Sequence, residues 1–273
     1  MSEKLKEIKT LAKEIRIDSL RVTHSAKTSH IGSCLSIADI LAVLYGEALR
    51  VNPARPDWPE RDRFILSKGH AAAAFIAALA ETGFFSRELL ETYCKDGSTI
   101  AGHVTYGLPG VEVSTGSLGH GLSIGCGIAL ATKRDRIPSR TFVLLSDGEC
   151  DEGSTWEAVL FAPQHHLDNL IAIVDYNKIQ SFGNVKEVLN LEPLAEKWRS
   201  FGWETIEING HDISQIRDAV LRVPFKNDCP SCIIAHTIKG KGVSFMENKL
   251  AWHYKSVDDN QLEQAITEVD SEK

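Results

Sequence analysis

From residue 141 onward the chain alternates short, mainly apolar runs with helical stretches, and this alternation constrains its fold more than any other feature. Thr141 to Ser146, Leu170 to Val174, Glu204 to Ile208 and Cys232 to Ala235 read as strands, with Glu152 to His165, Leu194 to Phe201 and Asp212 to Arg222 as the helices between them. Runs without polar alternation mark strands buried on both faces, and helix-length connections join parallel neighbours. Upstream, Arg63-Phe64-Ile65-Leu66-Ser67 is a fifth such strand, which Lys68-Gly69-His70 turns into an Ala-rich helix ending near Gly83. The expected fold class is α/β, a mainly parallel sheet covered by helices on both faces. No repeat, low-complexity segment or linker separates two cores, so residues 1–273 read as one domain ending in a short polar, acidic tail over 256–273. A composition 43% hydrophobic can fill a core of that size.

The remaining stretches are less regular. Leu5, Ile8, Leu11 and Ile15 recur at helical steps, and the character changes between Asp18 and His30. A second helical run, Ser36 to Leu49, stops near Asn52-Pro53; a third covers Ser86 to Cys94. A long loop from Asp96 to Thr115 follows, of a length that is often functional. Gly116 to Lys133 reads as a Gly-studded helix.

Charge and cysteine usage remove several function classes. Thirty Lys+Arg against 37 Asp+Glu give a net charge of −7, and the basic residues are dispersed, so no nucleic-acid surface is read. The charged stretch Met1 to Lys13 has no apolar core of a secretory signal, and the longest apolar run, Ala71 to Ala80, is too short for a bilayer, which needs about 20 residues. The expectation is a cytoplasmic protein without membrane contact, its six cysteines reduced. Cys229-Pro-Ser-Cys232 is a lone pair with no second ligand pair, and reads as two core-adjacent thiols rather than a metal or redox site. Cys150 reads as a small filler.

Two strand ends carry the chemistry. Ser146-Asp147-Gly148 closes one core strand, and Asp175-Tyr176-Asn177-Lys178-Ile179 closes the next, about thirty residues later. Ligands in open α/β sheets bind at the carboxyl ends of strands. If these strands are neighbours, Asp147 and Asn177 face one spot, and a carboxylate with an amide oxygen suits Mg²⁺ or Ca²⁺ bound with an anionic partner such as a diphosphate. Gly148 permits close approach of that anion. An Asp and an Asn terminating turns is the alternative, common at strand ends.

The run from Ser146-Asp147-Gly148 to Asn177 resembles the thiamine diphosphate motif, with Ser146 at its first glycine and Tyr176 before the Asn. Asp151-Glu152-Gly153-Ser154-Thr155-Trp156-Glu157-Ala158 resembles transketolase in particular. So do four histidine segments in family order. They are His24 to Gly32, Leu66 to Ala71, Gly102-His103 with Pro109 to Gly119, and Thr237 to Gly242 with Trp252-His253. The resemblance implies that Asp147, Asn177 and the Ile179 carbonyl bind the metal, and that His70 and His253 contact the diphosphate side of the cofactor. It implies that Gly116 and Leu118 line the cofactor, with Leu118 near the thiazolium. His30, His103 and His253 would face the reacting sugar as catalytic residues. Glu152 and Glu157 would join a carboxylate network at a subunit interface linking two active sites; as charges at a helix start they could equally favour its positive end. His24, His165, His166, His211 and His236 read as structural.

The resemblance covers the first third or so of full-length transketolases. It implies the N-terminal subunit of a split enzyme, transferring a two-carbon ketol unit from a ketose, or ketose phosphate, to an aldose. The partner would be a separate C-terminal subunit of about 300 residues, holding the pyrimidine-binding and C-terminal domains, in a two-plus-two hetero-oligomer. Alternatives are a subunit of a 1-deoxyxylulose phosphate or dihydroxyacetone synthase, or a non-catalytic regulatory subunit. The intact Asp147, Asn177, His30, His70, His103 and His253 argue against the last.

Overall fold

Five strands form one parallel sheet in the computed structural model, which describes residues 3–271. They are β1 (Arg63–Leu66), β2 (Thr141–Ser146), β3 (Leu170–Tyr176), β4 (Glu204–Asn209) and β5 (Ser231–His236), in the order β1-β2-β3-β5-β4. Each strand lies within two residues of its sequence-predicted bounds. The central strands β2 and β3 are buried along their whole length, as their unbroken apolar runs require. Strand β4 alternates buried and exposed positions because it is an edge paired with β5 alone among the described residues.

Among the described residues ten α-helices flank the sheet: α1 (Glu3–Ala26), α2 (Ile31–Leu35), α3 (Ala38–Val43), α4 (Ala72–Glu81), α5 (Gly121–Arg134), α6 (Gly153–Gln164), α7 (Val185–Val188), α8 (Leu194–Ser200), α9 (Ile213–Leu221) and α10 (Asp259–Ser271). Successive strand side chains point to opposite faces. Phe142, Leu144, Ile171, Ile173 and Ile233 pack with α1, α3, α4 and α9. Val143, Leu145, Ala172, Val174 and Ile234 pack with α5, α6 and α8.

Five segments differ from the sequence reading. Helix α1 runs unbroken through the change of character at Asp18: the Ser19 and Thr23 hydroxyls donate to the Ile15 and Ser19 carbonyls, and Asp18 is clamped by Arg87. The run from Ser36 is helical over α3 and widens into a π turn at Leu44–Ala48, and the stretch after Ser86 is a 3₁₀ turn, Arg87–Thr92. Helix α5 begins at Gly121, because Gly116 and Gly119 hold φ of 149° and 80°. The polar tail expected over 256–273 is largely helix α10, which packs on α1 with Ala265 and Val269 buried; residues 272–273 lie outside the described residues. Its apolar stripe of Leu262, Ala265, Ile266 and Val269 is narrow, so charge dominates its sequence.

Candidate active site

Strands β2 and β3 are adjacent, with Ser146 opposite Asp175, so the two chemistry-bearing loops leave the sheet side by side. Asp147 is buried. Its Oδ1 accepts from the Gly148 N–H at 2.8 Å, and its Oδ2 from the Lys178 N–H at 2.7 Å, across the gap between the strands. Asn177 is held by Asp175, whose Oδ2 accepts from Asn177 Nδ2 at 3.1 Å; the Asn177 Oδ1 accepts from the Ile179 N–H.

Asp175 is the hub of this end of the sheet. It is fully buried and forms an ion pair with the fully buried Lys68, from the loop after β1. It also accepts from the Ser36 hydroxyl at 2.7 Å and from the Thr237 hydroxyl after β5. Burial works against its ionised form, but Lys68 more than offsets this and keeps the carboxyl below its usual range. A second buried lysine, Lys239, donates to the Ile179 carbonyl at 2.9 Å and to His253 Nδ1 at 3.0 Å. Burial, then the charge of Lys68, lowers Lys239 to about 8. Burial, then the charge of Asp175, pushes Asp147 up to about 6.

Four of the predicted histidines cluster. The His30 ring lies 5.2 Å from His70, 5.7 Å from His103 and 4.8 Å from His253, measured between centroids. Left-handed backbone at His30 (φ 74°) and a bond from its N–H to the His253 carbonyl fix it at the centre. Gly116 lets the His103 ring approach: a Cβ there would lie 2.9 Å from the imidazole. Burial, then neighbouring His103, Lys239 and Lys68, lowers His30 to about 4. Burial, then Lys239, lowers His253 to about 3, and burial, then Lys68, takes His70 well below its usual value. All three are neutral near pH 7 and able both to donate and to accept. An ammonium only donates, so Lys239 makes His253 Nδ1 an acceptor and places the ring proton on Nε2.

A cleft of about 420 Å³ joins these groups, and His30, His70, His103, His253, Asp147 and Asn177 all line it. Gly116, Leu118, Gly148, Ile179 and Glu152 border it as well. Glu157 does not: it lies farther along α6, exposed, on the face that also carries exposed Leu160 and Phe161. His211 is structural, bonded to Asp39 and to the Ile238 N–H. Cys232 is buried in β5, and the Cys229 thiol meets the Gly202 carbonyl.

The residues present suit a hard cation beside an anion. Asp147, Asn177 Oδ1 and the Ile179 carbonyl are all oxygen donors, and a lysine ammonium already stands on one of them. The raised Asp147 carboxyl is one that an added cation would stabilise in its ionised form. Among the described residues no three His, Cys, Asp or Glu side chains form a metal cluster, as a set built from one carboxylate, one amide and one carbonyl requires. No helix among them is long and apolar enough to cross a membrane.

Sequence reasoning missed Lys68, Asp175, Lys239 and Glu149. Lys68 and Lys239 stand inside segments singled out for their histidines, Asp175 opens the Asn177 loop, and Glu149 follows Gly148. Their signal is adjacency to a strand end.

Residues 8–271 match the family described as "Transketolase, thiamine diphosphate binding domain". A subunit of the apulose-4-phosphate transketolase of Phocaeicola vulgatus is 43% identical over 250 residues, covering 92% of this chain and 89% of that one. The 6-deoxy-6-sulfo-D-fructose transketolase subunit SqwG of a Clostridium species is 42% identical over 273 residues, covering 100% and 99%. The solved transketolase of Campylobacter jejuni superposes with a TM-score of 0.91 at 32% identity, over 99% of this chain and 43% of that longer one.

Proposed function

The chain belongs to the transketolase family through its thiamine diphosphate-binding domain, and from that premise we propose that it is the N-terminal subunit of a two-chain transketolase, moving a two-carbon ketol unit from a ketose to an aldose. The observation that carries this reading is the cleft in which Asp147 and Asn177 meet four histidines. The similarity to subunits, matched over nearly their whole length, supports a separate partner chain.

Asp147, Asn177 and the Ile179 carbonyl hold Mg²⁺ (or Ca²⁺), and His70 with Gly148 receives the diphosphate. Gly116 and Leu118 line the rest of the cofactor. Bound thiamine diphosphate supplies a nucleophilic carbon able to carry the transferred unit. His30, His103 and His253 face the sugar. His253 presents its Nε2 proton to a hydroxyl or carbonyl oxygen, and the ring can take a proton back only against the charge of Lys239. His30, at the centre of the cluster, orients the other rings.

The partner is a C-terminal subunit carrying the pyrimidine-binding domain, joined in a two-plus-two assembly. Glu157, Leu160 and Phe161 on α6 form a face suited to that contact, exposed apolar surface beside a carboxylate, with Glu152 at the helix start turned to the cleft. The sugar or sugar phosphate enters at the His103 side, where the histidine is exposed.

A coupled assay tests the reading, with each of the two chains by itself and with their mixture, on ketose phosphates, apulose-4-phosphate and 6-deoxy-6-sulfo-D-fructose, each with an aldose phosphate acceptor. Turnover in the mixture only is expected. Substantial turnover by this chain by itself, or none in the mixture across the panel, overturns it.

A further inference from the structure

Glu149 is fully buried, and its carboxylate ties its own segment after β2 to two others, the loop after β1 and the loop before α5. Its Oε1 accepts from the Ser67 hydroxyl and from the Gly119 N–H at 3.1 Å, and its Oε2 from the Ser146 N–H at 3.0 Å. The residue is itself clamped, its carbonyl accepting from the Thr155 hydroxyl at 2.6 Å. Each bonded atom lies next to a group assigned above: Ser67 leads to His70, Gly119 follows Leu118, and Ser146 precedes Asp147. The loops leave little slack. A Cβ at Gly69 would lie 2.5 Å from the Thr115 main chain, and the Thr115 hydroxyl donates to the Leu66 carbonyl at 2.7 Å.

All three hydrogen-bond partners of this carboxylate are neutral donors. Burying a carboxylate without a paired cation is costly, so a residue that merely filled the space would do better uncharged. Burial pushes the carboxyl up, and the Ser67, Ser146 and Gly119 donors, then the more distant charge of Lys68, oppose that shift. The arrangement instead meets a requirement that only a carboxylate satisfies. Two fixed main-chain N–H groups approach two different oxygens. An amide has one oxygen, so its NH₂ would face a main-chain N–H at Gly119 or at Ser146, whichever way it turned.

We propose that Glu149 is a positioning residue that sets the spacing of the His70, Leu118 and Asp147 loops, and through them the grip on the cofactor. This rests on the thiamine diphosphate reading of the cleft.

The test is Glu149→Gln in the assembled two-subunit complex, titrated with thiamine diphosphate in the presence of Mg²⁺ and followed by steady-state kinetics. Amide hydrogen exchange is measured on the cofactor-free chain. Affinity for thiamine diphosphate should fall about tenfold to a hundredfold, the range for residues that orient ligands from behind. At saturating cofactor kcat should stay within about threefold. The Gly119 and Ser146 amides should exchange faster, while those of β3 keep their protection. Should the Gln variant not fold, Ser67→Ala removes one donor and leaves the carboxylate in place. A few-fold loss of cofactor affinity with normal β3 protection is then expected, and unchanged affinity overturns the proposal. Wild-type affinity in a folded Glu149→Gln, or exchange that rises equally throughout the chain, overturns it as well. A wild-type complex that does not bind thiamine diphosphate removes the cofactor reading and this one together. A wild type that binds beside an unaltered variant removes this one only.

Discussion

The two ends of the sheet use the same kinds of group to opposite effect. At the amino end, Asp62 accepts from the Arg140 N–H at 2.9 Å, from its guanidinium at 2.6 and 3.1 Å, and from the Arg50 N–H at 2.9 Å. Lys133 pairs with Asp168 at 2.7 Å, both about a third exposed. Each carboxylate there meets a cation that still touches water. At the carboxyl end Asp147, Glu149, Asp175, Lys68 and Lys239 are all buried, three acids against two bases. Asp147 is pushed up to about 6 and Lys239 down to about 8, so neither charge is fully compensated from within. One end joins loops at little electrostatic cost. The other keeps charges out of water in an arrangement that a cation and an anion from outside would complete.

That contrast can be broken by measurement. The largest effect is expected for Lys68→Met, which leaves Asp175 buried without its cation. Urea unfolding should show a loss of about 3–5 kcal/mol, and a loss under 1 kcal/mol would mean that the buried charges are not held as described. Next comes Asp147→Ala in the assembled complex. Calorimetry should show thiamine diphosphate affinity in Mg²⁺ reduced by about a hundredfold or more, beyond what outer residues contribute, with the melting temperature nearly kept. Unchanged affinity would remove Asp147 from the metal site. His103→Ala sharpens the division inside the cleft: kcat/KM for sugar should fall by at least about tenfold while cofactor affinity holds. Equal loss of both would make His103 structural. The smallest effect belongs to the amino end. Lys133→Ala should cost about 0.2–1 kcal/mol, as partly exposed pairs do, and a cost matching that of Lys68→Met would erase the difference between the ends.

The positions of β2, β3 and β5 were readable because burial on both faces leaves a nearly unbroken apolar run, and that of β4 from its place in the alternation of helices and strands. Helix α10 and the continuous α1 were not, since both depend on tertiary contacts: a narrow stripe packed on a neighbour, and Arg87 reaching Asp18 from far along the chain. The site divides in the same way. Asp147 and Asn177 were legible as a candidate pair from residue type and strand-end position, and the four clustered histidines only through the resemblance of their segments. Their support was not, because Asp175, Lys68 and Glu149 look like ordinary solvated loop charges until the fold buries them. Sequence pattern also could not separate Glu152 at the cleft from Glu157 on the open face of α6, since both stand near the start of one helix.

The order β3-β5-β4 has a consequence for how the molecule comes into being. Strand β4 leaves the ribosome before β5, yet β5 is its only partner in the sheet among the described residues. The later strand must enter between β3 and an earlier one that has nothing to pair with until then. Its arrival also brings Thr237 to Asp175, and Lys239 to the Ile179 carbonyl, contacts 62 and 60 residues apart in the chain. Contacts between such distant residues form late. The last strand among the described residues thus closes the sheet and seats Thr237 and Lys239 at the cleft in one event, and the segment beyond it then adds His253.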